Sequence, residues 1–109
     1  MHVGAFLQVS GTGRARGKIT SDAQRMSLSR DTALLDAWRR LRSYLEGLPL
    51  SDGSTVGQQA AGSKEYESGL DSLVHSAEIA SSRFDADMAA VVLRLPKGRV
   101  NAALGTEYP

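Results

Sequence analysis

Apolar positions recur at helical spacing over much of this chain. Leu34, Trp38, Leu41 and Leu45 step by four, three and four, which lays them on one face of a helix. Leu35 and Ala37 widen the stripe, and Arg39, Arg40 and Arg42 fall largely off it. Ser29 stands where an N-cap belongs, Asp31 follows in the first turn, and Gly47 with Pro49 supplies the stop. The pattern predicts a helix over 30–46. Ser21 and Gln24 have capping-box spacing and predict a weaker lead-in over 22–28.

A second seam runs through Tyr66, Leu70, Leu73, Ala77, Ala80, Phe84, Met88, Val91 and Leu95, close to a period of 3.5. It predicts one helix over 64–95, or two (64–80 and 83–95) if Ser81-Ser82 breaks the run. Pro96 closes it, and a short helix over 98–104 would end at Gly105. Residues 47–63 carry Gly, Ser, Asp, Pro and Gln with almost no large apolar group, which predicts a polar linker. Residues 3–9 have strand character but no evident partner. Gly11-Thr12-Gly13-Arg14-Ala15-Arg16-Gly17-Lys18 reads as a basic, glycine-rich tail. The expected fold is mainly α: an antiparallel helical hairpin or small three-helix bundle over 26–109, behind a loose basic segment at 1–25.

Composition narrows the function. The 109 residues make one domain, with 13 Lys+Arg against 12 Asp+Glu and a net charge of +1. That balance argues against a protein that coats nucleic acid by bulk charge, or one that mimics it. It conceals a division, because Arg14, Arg16, Lys18 and Arg25 precede a largely acidic stretch from Asp52 to Asp87. With no cysteine, disulfides, thiolate metal sites and cysteine nucleophiles fall away. No apolar run reaches the roughly 18 residues of a membrane span, and the basic residues follow the apolar start instead of preceding it. The expectation is a cytoplasmic protein with no membrane partner.

Few residues suggest chemistry. Gly17-Lys18 has Thr12 where a phosphate-binding loop needs its first glycine, and Ile19 where it needs a hydroxyl. His75 sits between Asp71 and Glu78 at helical spacing, a pattern better explained by a solvated face than by a metal site. Asp85 and Asp87 would point apart on a helix, and no serine sits in a nucleophile elbow. The sequence therefore predicts a non-enzymatic module with no catalytic, metal or cofactor-binding residue. Trp38, Arg39, Arg40 and Arg42 are the candidate partner-binding residues. Arg14, Arg16 and Lys18 are candidates for weak contact with a nucleic-acid backbone. A homodimer through the 66–95 seam is the structural alternative.

Leu34-Leu35-Asp36-Ala37-Trp38, Gly62-Ser63-Lys64-Glu65-Tyr66, the run from Asp85 to Leu95-Pro96, and Ala103-Leu104-Gly105-Thr106-Glu107-Tyr108 follow one another in an order that resembles a known family. It is that of small phage antitermination proteins, whose C-terminal unit is like region 4 of sigma factors. The resemblance covers 31–109 loosely. It implies a phage or prophage-type transcription regulator whose partner is RNA polymerase or another large complex. In that family a helix-turn-helix follows the tyrosine segment. The sequence stops at Pro109, so the resemblance implies a regulator without its DNA-reading helix.

Overall fold

A computed structural model describes residues 2–15, 21–85 and 88–107, and the following account concerns these. The element order is β1 (His2–Val3), β2 (Phe6–Arg14), α1 (Asp22–Glu46), α2 (Val56–Gly62), α3 (Lys64–His75), β3 (Glu78–Asp85), β4 (Met88–Pro96) and α4 (Lys97–Leu104). The strands form one antiparallel sheet in the order β1-β2-β4-β3.

The expected mainly helical fold is therefore corrected to a mixed one, helices against an antiparallel sheet. The segment read as the second half of a long helix holds instead β3 and β4, at residues 78–85 and 88–96. The helical seam over 66–95 ends with α3, and the dimer expected through it loses its surface. The segment at 1–25 is not wholly a loose head, because β2 lies beside β4 in the middle of the sheet. Residues 47–63 are not wholly a linker either, since they contain α2.

The strand pattern shows what was ambiguous. In β4 the residues Ala89, Val91, Leu93 and Leu95 are buried, alternating with half-buried neighbours. In β2 the buried positions are Leu7, Val9, Gly11 and Gly13. Both strands thus bury one face at a period of two. Phe84, Met88, Val91 and Leu95 also satisfy a helical spacing, and a short apolar run fits either reading. What selects the strand is the pairing of residues 6–14 with residues 88–96, far apart in sequence.

Glycine sets how closely the helix approaches. A Cβ on Gly13 would come within 2.6 Å of the Ser29 carbonyl oxygen, and closer still to the Ala33 nitrogen. One on Gly11 would come within 2.7 Å of the Ala37 Cα. The Gly-x-Gly pair is thus the floor on which Ser29, Ala33 and Ala37 of α1 rest, all of them buried. Ser29 does not cap α1. It lies inside the helix, where its hydroxyl donates to the Met26 carbonyl at 3.1 Å. The cap is Ser21, which accepts from the Gln24 amide.

Toward its C-terminal end α1 buries Leu41 and Leu45 in a core shared with Leu7, Val56, Leu70, Leu93, Leu95, Val100 and Leu104. Thr55 and Gln58 form a reciprocal capping box that starts α2, and Ser63 caps α3. The Tyr66 hydroxyl donates to the Leu104 carbonyl at 2.7 Å and ties α3 to α4. Gly105, at φ 75°, provides the left-handed residue that closes α4. Among the described residues no helix is long and apolar enough to cross a membrane.

Candidate functional site

The residues predicted to bind a partner are largely engaged within the chain. Trp38 is half-buried against the core, and its ring centroid lies 4.7 Å from that of His75. Arg40 pairs with Asp36 at 3.0 Å. Arg42 reaches Glu46 at 3.4 Å, Glu67 at 3.2 Å and Asp71 at 3.6 Å, bridging α1 to α3. Arg39 is exposed. The cluster is a clamp between helices more than an open basic strip. Of the predicted nucleic-acid contacts, Arg14 ends β2 with its guanidinium 3.1 Å from the Met88 sulfur. Arg16 and Lys18 lie outside the described residues.

The carboxylates are equally occupied. The His75 Nδ1 lies 2.8 Å from the Asp71 carbonyl oxygen, while Glu78 belongs to β3 and faces Arg94. The expected His75 trio is thus divided between two elements. Among the described residues no group of three potential ligands could hold a metal. Asp36 has its carboxyl held below the usual range, first by the backbone N–H of Thr12 and also by Arg40. Asp52 is lowered by the hydroxyl and amide of Ser54 in the turn before α2. Burial raises the Tyr66 hydroxyl. A notch of about 260 Å³ lies between the Leu48–Ser51 loop and the residues after α4, lined by Leu48, Leu50 and Thr106.

The surface that stands out was not singled out by sequence reasoning. Strand β3 forms one edge of the sheet, and every one of its residues is exposed. No strand or side chain among the described residues pairs with its outer edge. Directly opposed residues share a face, so the register with β4 assigns each side chain. Ile79, Ser82 and Phe84 oppose the buried Leu93, Val91 and Ala89 and lie on the helix side. Glu78, Ser81, Arg83 and Asp85 lie on the other side, opposite Arg94, Val92, Ala90 and Met88. The register shifts between Ile79 and Ser81, a bulge at Ala80.

The helix layer covers β2 and β4 but leaves β3 bare, so Ile79 is 40% exposed and Phe84 39%. Near them, a recess of about 390 Å³ is lined by Thr12, Arg83, Phe84, Asp85 and Met88. On the outward face Arg94 lies over the Phe6 ring at 4.5 Å and reaches Glu78 at 3.4 Å. Arg83 and Asp85 have no ionic partner among the described residues. A signal was present in the sequence: β-branched and aromatic residues flanking Ser81-Ser82, followed by the Val91-Val92 run.

No protein-family model matches the chain, and no curated protein matches its sequence.

Proposed function

We propose that this chain is a non-enzymatic protein-interaction domain that engages its partner along the outer edge of β3. One observation carries the reading: a strand of eight residues lies open on its edge and on both faces, with Ile79 and Phe84 exposed. Proteins ordinarily blunt such edges with short strands, proline, charges, bulges or a covering segment; β3 has a bulge and the charges of Glu78, Arg83 and Asp85 but no proline and, among the described residues, no cover. An open edge suits an extended segment that adds as the next strand. Backbone hydrogen bonds would then supply affinity, and Ile79 and Phe84 would supply recognition. The transcription-regulator reading, drawn from the resemblance, is the more specific form of this proposal.

The test is capture with the tagged full chain, read by mass spectrometry with RNA polymerase subunits as first candidates. The double variant Ile79→Lys/Phe84→Lys places charge on the edge and should lose the captured partner. Trp38→Ala and Arg40→Glu alter the helix face instead and should retain it. Equal recovery by the edge variant and the parent would sink the edge reading.

A further inference from the structure

We infer that the segment completing the β3 edge is β3 of a second copy of this chain, paired antiparallel about a two-fold axis between Ala80 and Ser81. The inference rests on the edge reading above and names its partner. The first argument is what the rest of the sheet disfavours. The opposite edge is partly covered: β1 pairs with Phe6 and Leu7, and Asp36 accepts the Thr12 backbone N–H at 2.9 Å. These contacts stand in the way of a β3 strand adding along the β2 edge of another copy and propagating into a filament. Among the described residues β3 is the edge without such cover, and a closed pair is its self-complementary solution.

The second argument is the register. Antiparallel self-pairing must oppose residues of the same face. The bulge at Ala80 puts Ile79 and Ser82 on one face although they are three apart, and likewise Glu78 and Arg83 on the other. A register that opposes residue 78 to residue 83 of the second copy then keeps faces matched along 78–83. Glu78 meets Arg83, Ile79 meets Ser82, and Ala80 meets Ser81, each twice by symmetry. It also sets Ile79 diagonal to Phe84 of the second copy, within reach of long and aromatic side chains. Opposing 78 to 85 instead would place Glu78 against Asp85 and would mix faces at Ser81 and Ser82. Face matching is also kept by opposing 81 to 85, but that register sets Arg83 against Arg83 on the axis, a like-charge pair. Opposing 83 to 85 about Phe84 also matches faces and charges, but within β3 it engages residues 83–85 alone. Charge and length together select the first register, and Arg83, which has no ionic partner among the described residues, gains one. The net charge of +1 leaves little overall repulsion between copies.

Charge reversal on this pair tests the register as well as the dimer. The exposed Glu78 and Arg83 are replaced in two separate full-length chains, Glu78→Arg and Arg83→Glu, and folding is checked by circular dichroism. Sedimentation equilibrium should show the parent as a dimer and each variant weakened by about tenfold or more. Mixing the two variants should restore a mixed dimer, because each arginine again meets a glutamate. A dimer indifferent to both reversals, or a mixture no tighter than its components, overturns the inference. So does a parent that stays monomeric at millimolar concentration. If that monomer still loses its captured partner on Ile79→Lys/Phe84→Lys, the edge reading survives without the self-pairing. If capture is also unaffected, both fail.

Discussion

The two edges of the sheet differ in how much of the chain is devoted to closing them. On the β2 side a two-residue strand covers Phe6 and Leu7, and farther along Asp36 accepts the Thr12 amide while Arg40 holds Asp36. α1 lies so close over Gly11 and Gly13 that no side chain fits beneath it. On the β3 side the helices stop short, and Ile79 and Phe84 remain open. Both edges consist of strands with unpaired backbone groups, but one is partly covered by residues of its own chain. The contrast shows that exposure at β3 is not a general looseness of the fold, since the same sheet covers part of an edge elsewhere with a carboxylate and a short strand.

The largest expected effect comes from the closed side. Gly13→Ala drives a Cβ into the backbone of α1 and should destabilise the fold by about 3 kcal/mol, measured by urea denaturation. A cost below about 0.5 kcal/mol would mean that α1 does not rest on β2. Asp36→Ala comes next, with a loss of about 1 kcal/mol from the amide it leaves unpaired. It should also open the second edge, so that association proceeds beyond a closed pair to larger species in light scattering. A variant that loses stability but forms no larger species would show that β1 alone closes this edge.

The acid response sharpens the same contact. Asp36 has a folded-state pKa below its ordinary 3.8. Its contribution to stability is therefore full above about 3.8 and lost as pH falls through the lowered value. The parent should lose stability below pH 3.8 more steeply than Asp36→Asn, as read by thermal melts across that range. Equal slopes would remove Asp36 as a pH-dependent clasp. The smallest effect on stability belongs to the open side. Ile79→Lys should alter folding by no more than about 0.5 kcal/mol while weakening association. A substantial stability loss would show that Ile79 is buried by something within the chain.

Legibility varied along the chain for identifiable reasons. The stripe of Leu34, Trp38, Leu41 and Leu45, with the stop at Gly47 and Pro49, lies where α1 lies. Helical periodicity is a local property, and so are caps and stops. The Thr55 and Gln58 box before α2 was equally local, but it sat in a stretch whose polarity masked it. The strands were a different matter. Phe84, Met88, Val91 and Leu95 suit a helix by spacing, while Ala89, Val91, Leu93 and Leu95 suit a strand by alternation. Gly11 and Gly13 read as flexibility when viewed alone, although α1 requires both to be small.

The candidate site followed the same division. Trp38 and the arginines beside it were conspicuous as residue types, yet His75, Asp36, Glu67 and Asp71 engage most of them. The β3 edge was inconspicuous because its character lies in what fails to cover it. The sequence alone determined the C-terminal part of α1 with its stop at Gly47 and the close of α4 at Gly105, since each depends on residues within a turn or two. Only the tertiary structure decided that residues 78–85 and 88–96 are strands, that β2 lies beside β4, and that one edge is partly covered while the other stays open. The β2–β4 pairing among them depends on backbone hydrogen bonds between segments more than seventy residues apart. No local pattern records them, because loop closure and the pairing it permits are properties of the whole chain.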